Sequence, residues 1–166
     1  MLFRRKRYLY RAFRASRQKK KYMGMNHNEL LEKALAIALK AHAGQTDKAG
    51  AAYVLHPIRV ACRCATDEER MTALLHDTIE DADVTADELL AEGFPPATVD
   101  AVVALTRKEE ETYEDYVGRC SLNPLARRVK LHDLEDNMDL SRLSRVTEKD
   151  LERLDRYVRA YSFLKA

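Results

Sequence analysis

Helix starts are written into this chain at regular intervals, and they constrain its fold more than any other feature. Thr85 precedes Glu88, Thr112 precedes Asp115 and Thr147 precedes Asp150, each at the three-residue spacing of a capping box. Asn123-Pro124 and Pro95-Pro96 place proline where a first helical turn tolerates its missing N–H. Strand signals are almost absent, so the expected fold is all-α, with about eight helices and no internal repeat. The first helix runs from about Asn28 to His42, with Leu31, Leu35, Ala38 and Leu39 along one face and Gly44 just past its end. GQTDKAGAAYVLHP is a loop by its glycines, and Pro57 opens a short helix reaching about Ala65. Asp67 is the expected cap of the next helix, DEERMTALLHD. Further helices end at Gly93 and Thr106, a long one carries LARRVKLHDLEDNMDL, and the last begins at Thr147.

At 166 residues the chain suits one domain with a real core. No apolar run approaches bilayer length, which excludes a membrane-spanning role. Charge is unevenly spread. Residues 1–22 hold ten Lys or Arg and no acid, leaving 19 basic against 27 acidic side chains in the rest. The expected division is a basic extension over residues 1–25 and a globular domain over 26–166. The extension interleaves its cations with Phe3, Tyr8, Tyr10, Phe13 and Tyr22. It reads either as an arm for nucleic acid or an anionic surface, or as an import-like leader, a solubilising tail, or sequence upstream of a start at Met23 or Met25. Cys62, Cys64 and Cys120, an odd count, read as buried free thiols in a reducing, cytoplasmic setting.

Three stretches carry chemistry. In ALLHDTIEDAD, two leucines lead His76 inward while Asp77, Glu80, Asp81 and Asp83 crowd the next seven positions. Like charges at i,i+4 and anions at a helix C-terminus both oppose helix formation, and a bound cation would reverse that sign. His56 stands before Pro57 where a loop enters a helix. In RRVKLHDLEDNMDL, Lys130, Asp133 and Asn137 share a stripe beside the apolar Val129, Leu134 and Met138. Asp133 there needs a partner, which Lys130 can be, while His132 and Asp136 read as an outer, solvated pair. His56, His76, Asp77 and Asp133 together would form a mixed nitrogen–oxygen site suited to Mn, Fe or Zn. Such a site activates water; Glu80 and Asp81 would shuttle its proton, for hydrolysis of a phosphate ester or anhydride.

The order H…HD…D resembles that of HD-type phosphohydrolases. The segments AHAGQTDKAGAAYVLHPIRVA (41–61), ALLHDTIEDADVTADEL (73–89), ALTRK (104–108) and VKLHDLEDNM (129–138), with Arg153 and Tyr157 beyond them at the right spacing, are similar to the RelA/SpoT-type (p)ppGpp hydrolase domain and the small alarmone hydrolases. The resemblance implies an all-helical fold and Mn²⁺-dependent removal of a 3′-pyrophosphate, with another divalent transition metal as an alternative. It implies His56, His76, Asp77 and Asp133 as metal ligands and Glu80 and Asp81 as handlers of the attacking water. Lys48, Asn137, Arg153 and Tyr157 would contact nucleotide, and Arg107 or Lys108 phosphate. Asp47 departs from the family's usual basic residue, and the segment after Asn137 is short. No synthetase or regulatory region is expected. The alternatives are the same chemistry on another phosphorylated nucleotide, and a non-catalytic nucleotide sensor.

Overall fold

The structure is a computed structural model that describes residues 26–166; the basic arm lies outside the described residues. Nine α-helices lie among them: α1 (His27–Ala41), α2 (Leu55–Arg63), α3 (Asp67–Leu75), α4 (Thr78–Asp81), α5 (Ala86–Glu92), α6 (Pro96–Leu105), α7 (Tyr113–Ser121), α8 (Pro124–Asn137) and α9 (Glu148–Lys165). A 3₁₀ turn, Leu140–Arg142, precedes α9. Among the described residues the only extended pairing is an isolated bridge between Thr46 and Ala52. The all-α expectation holds, with eight helices of seven residues or more and the single turn α4.

The caps form as the sequence implies. Thr85, Thr112 and Thr147 open α5, α7 and α9, and Asn123 accepts from the Leu125 and Ala126 amides at the start of α8. Thr85, Thr112 and Asn123 each occupy an orphan N–H of a first turn, while at Thr147 the Asp150 carboxylate accepts from the Thr147 amide and hydroxyl. Gly93 closes α5 at φ 104°, a conformation that costs glycine little. One cap is displaced from expectation: Thr66 caps α3, with Glu69 completing the box, and Asp67 is the first helical residue.

Helices α3 and α8 are the axis of the fold. Helix α3 packs on α1, α2, α6 and α8; α8 also meets α2, α6, α7 and α9. Six of the nine α3 residues are buried, and Met71, Leu75, Val129 and Leu134 are fully enclosed between the layers. Leu30, Ala34 and Ala38, at four-residue spacing, lie on the buried face of α1, which packs on α3. Cys64 and Cys120 are buried, as expected of small hydrophobes, but Cys62 is exposed.

The most consequential local departure lies at the end of α3. The helix stops at Leu75 instead of running through the acids. His76 Nδ1 meets the Ala73 carbonyl at 2.7 Å and Thr78 Oγ1 donates to the Leu75 carbonyl at 2.7 Å, so side chains take the terminal acceptors of the helix. The chain then restarts as α4, with Glu80 and Asp81 in a first turn. The acids thereby avoid the C-terminal end of α3, where its dipole would oppose them. Helix α8 likewise ends at Asn137, three residues before the expected Leu140, and Asp139 caps the 3₁₀ turn instead.

Candidate metal centre and substrate cleft

Three elements bring their ends to one point. The start of α2 supplies His56, the end of α3 supplies His76 and Asp77, and the last turns of α8 supply Asp133. His56 Nε2 lies 3.1 Å from Asp133 Oδ1 and 3.8 Å from Asp77 Oδ2; His76 Nε2 lies 3.1 Å from Asp77 Oδ2 and 3.7 Å from Asp133 Oδ1. Two imidazole nitrogens and two carboxylate oxygens thus face one centre. His56, His76 and Asp133 are all buried, with ligand atoms within 4.8 Å of one another.

The donor chemistry fits a divalent metal. Atoms each about 2.1 Å from a shared ion sit at about these mutual separations, and imidazole with carboxylate suits a first-row transition ion. His76 Nε2 is buried without a hydrogen-bond partner, while its Nδ1 is engaged by the helix carbonyl. An imidazole fixed in that way has its other nitrogen free to ligate. The charges stabilise one another. Burial disfavours a charged His76, yet Asp77 and Asp133 outweigh it and hold the ring well above its usual pKa. Burial likewise opposes ionised Asp133, but Lys130 and the two histidines keep its carboxyl well below the usual range. For Asp77 burial is again the opposing effect, and His76 overcomes it to bring the carboxyl down to about 2.

Around these four groups lies a shell of polar contacts. Lys130 Nζ donates to Asp133 Oδ2 at 2.6 Å, the partnership expected for a buried carboxylate, and Asn137 Nδ2 donates to Asp133 Oδ1 at 2.6 Å. Tyr53 OH donates to Asp77 Oδ2 at 2.6 Å. The outer pair expected of His132 and Asp136 does not form. His132 meets Glu135 at 3.0 Å, whereas Asp136 is fully buried and accepts from His56 Nδ1 at 2.8 Å and from Arg59 through both oxygens at 2.8 and 2.9 Å. The physical reason is the packing of α2 on α8, which closes over the face bearing Asp136.

Three of the four groups, His56, Asp77 and Asp133, border a two-lobed cleft, and His76 is buried behind them. One lobe, about 210 Å³, is lined by Lys48, Asn137, Arg153 and Tyr157, together with Asp47, Arg59 and Arg142. The other, about 250 Å³, is lined by Glu80 and Arg107 over Asp77 and Asp133, with Tyr113, Tyr116, Lys130 and Arg156. His56, Tyr53, Asn137 and Tyr157 border both lobes. All four nucleotide-contact candidates therefore meet in one lobe, and Arg107 and Glu80 in the other. Lys108 lines neither lobe. Asp81 is set apart from Glu80: it lines a separate cavity of about 560 Å³ with Lys40, Asp83 and Glu88. Desolvation and the charges of Asp77 and Glu80 raise its pKa.

Asp47 is committed inside the protein. Its Oδ1 accepts from the Ala49 and Ala51 amides at 2.9 Å, folding its own loop, and its Oδ2 accepts from Arg142 Nη1 at 3.0 Å. Sequence reasoning misses Tyr53, Arg59, Asp136, Arg142 and Arg156. A signal exists for two of them. Asp136 lies one turn beyond Asp133, and Arg59 one turn beyond His56, so each shares the inner face of its helix with a ligand candidate.

No protein-family model matches the chain. The guanosine-3′,5′-bis(diphosphate) 3′-pyrophosphohydrolase of Aquifex aeolicus is 31% identical over 124 residues, covering 68% of this chain and 18% of the relative. The protein of the same name from Vibrio cholerae is 35% identical over 91 residues, covering 52% of this chain and 13% of the relative. The chain therefore spans less than a fifth of the length of these curated relatives. A solved structure described as "A metazoan ortholog of SpoT hydrolyzes ppGpp and plays a role in starvation responses" superimposes with a TM-score of 0.67 at 21% identity, covering 81% of this chain and 84% of that one. That likeness establishes the fold.

Proposed function

We propose that this chain, which carries an HD-type domain of the RelA/SpoT kind, is a divalent-cation-dependent hydrolase that removes the 3′-pyrophosphate of guanosine tetra- or pentaphosphate. The observation that carries the reading is the convergence of His56 Nε2, His76 Nε2, Asp77 Oδ2 and Asp133 Oδ1 beneath a cleft lined by cations. These four residues would hold the cation, Mn²⁺ in this proposal, whose chemistry is to acidify water and draw charge from a phosphoryl oxygen.

The protein's own groups supply the rest. Glu80 Oε2 accepts the Arg107 amide at 2.8 Å, which fixes the carboxylate at the edge of the cleft. Its Oε1 is left to take a proton from the attacking water. As the new P–O bond forms and the bond to the 3′-oxygen breaks, that proton passes to the leaving 3′-oxygen, giving the nucleoside 5′-di- or triphosphate and pyrophosphate. Arg107 and Arg156 line the lobe where the departing charge gathers. Lys48, Arg153 and Tyr157 line the other lobe and would hold the nucleoside portion. In this scheme Asp81 acts on Glu80 by charge from the neighbouring cavity.

The alternative, the same chemistry on a different nucleotide, draws its force from Asp47. With both oxygens of Asp47 occupied by the protein, guanosine tetraphosphate is the better supported substrate. Free thiols and a free nucleotide substrate suit a cytoplasmic setting, and among the described residues no helix is long and apolar enough to cross a membrane. Residues 1–22 would contact nucleic acid or another anionic surface in a salt-dependent manner. The deciding assay incubates purified protein and Mn²⁺ with guanosine tetraphosphate and follows GDP and pyrophosphate. Turnover is expected. Metal uptake without turnover, in an assay where a related hydrolase works, would favour another substrate, and a protein that takes up no metal would favour the nucleotide sensor.

A further inference from the structure

Neither cavity of the substrate cleft is lined by Asp136, yet it is the most completely enclosed carboxylate of the region, with no exposed surface. A buried acid is costly unless its partners satisfy it, and Asp136 has several. His56 Nδ1 approaches Oδ2 at 2.8 Å, and Arg59 donates to both oxygens. Arg142 Nη2 reaches the Asp136 carbonyl at 2.9 Å and Oδ2 at 3.5 Å, while its Nη1 holds Asp47. Neutralising two arginines that are themselves about 30% exposed would not require taking the carboxylate out of water. Its contact with His56 does.

We infer that Asp136 is the positioning residue for His56: its carboxylate holds Nδ1–H, so that Nε2 presents its lone pair to the metal centre, while Arg59 and Arg142 hold the carboxylate in place. An ionised carboxylate only accepts hydrogen bonds, so the ring nitrogen facing it carries the proton, and Nε2 of the neutral ring is left with the lone pair that a metal takes. The partner histidine reaches the same result by another route, through the Ala73 carbonyl within its own chain segment. The corresponding carbonyl three residues before His56, that of Tyr53, already accepts the His56 backbone amide at 2.8 Å, and the ring turns to Asp136 instead. Helix α8 therefore supplies both a ligand, Asp133, and one turn on the group that aims a second ligand. A carboxylate in that place also raises the basicity of the imidazole. This inference rests on the proposed metal centre.

The test is isothermal titration of Mn²⁺ into the metal-free full-length chain, comparing wild type, Asp136→Asn and Glu69→Gln. Glu69 is the control, a buried acid paired to Arg128, with a similar burden on folding and no contact with the centre. Asp136→Asn is expected to weaken Mn²⁺ roughly 10- to 100-fold, and Glu69→Gln to leave it within twofold of wild type. Proton NMR of the imidazoles gives the signature that a merely structural role would not move. The His56 Nδ1–H resonance should lie far downfield in wild type and be lost in Asp136→Asn, with that of His76 unchanged. If Asp136→Asn does not fold, Arg59→Met serves in its place, with a several-fold loss of affinity expected. Wild-type affinity in a folded Asp136→Asn or Arg59→Met, or equal losses in Asp136→Asn and Glu69→Gln, would overturn the inference while leaving the metal centre standing. A wild-type protein that binds no Mn²⁺ would remove the centre, and this inference with it.

Discussion

The two lobes of the cleft use their arginines in opposite ways. In the lobe beside Lys48, the guanidinium groups are already matched: Arg59 to Asp136, Arg142 to Asp47 and Asp136, and Arg153 to Asp150 at 3.0 Å. In the lobe over Asp133, Arg156 lies over the rings of Tyr113 and Tyr157, at 5.2 and 5.9 Å, and Arg107 donates to the Glu111 carbonyl. Neither of these two has a carboxylate within ion-pair distance among the described residues. A cation matched by the protein shapes a wall; one left over attracts an anion. On the proposed reading, the first lobe would fit the nucleoside and the second would take up the charge of the pyrophosphate.

Both lobes depend on the shared centre, and removing it erases the difference between them. His76→Ala or Asp77→Ala should abolish Mn²⁺ binding by titration and reduce turnover to background, whichever lobe a substrate analogue favours. Retained activity in either variant would mean that the four groups are not the reaction centre. The next largest effect isolates one lobe. Glu80→Gln keeps the shape and the Arg107 contact but cannot take a proton, so the rate should fall by a factor on the order of 10² with Mn²⁺ affinity unchanged. A fully active Glu80→Gln would move the proton transfer elsewhere.

How far this asymmetry is legible in the sequence differs group by group. Thr85, Thr112, Asn123 and Thr147 announce their helices because a cap is a contact within three residues, wholly contained in local sequence. His76-Asp77 is legible for a related reason: an apolar run drives the pair inward, and Glu80, Asp81 and Asp83 crowd the positions after it. Asp136 reads wrongly as solvated because a helical wheel gives the angle between side chains and not which face another helix covers. Arg59 and His56, which bury it, lie 77 and 80 residues away in sequence. Glu80 and Asp81 read as a unit, but adjacent helical residues point about 100° apart, and the break after Leu75 sends one to the cleft and the other to a different cavity. Asp47 reads as a change in what the loop presents to a ligand, because its partner Arg142 is 95 residues away.

The smallest expected effect is also the sharpest probe of matched against unmatched charge. Arg156→Met removes a guanidinium stacked on ring faces, so the folded protein loses little. Inhibition by pyrophosphate should weaken about tenfold, the size of one charge-assisted contact, with the melting temperature nearly unchanged. Arg142→Met should do the reverse. It leaves Asp47 Oδ2 without its cation and strips one donor from buried Asp136, at a cost of about 1–2 kcal/mol in stability. Pyrophosphate inhibition should stay within twofold of wild type. The contrast should narrow in high salt, because the exposed interaction is screened while the buried one is not. Should Arg142→Met weaken pyrophosphate as much as Arg156→Met does, both lobes would be reading phosphate, and the 5′ end of the nucleotide would have to lie against Arg142.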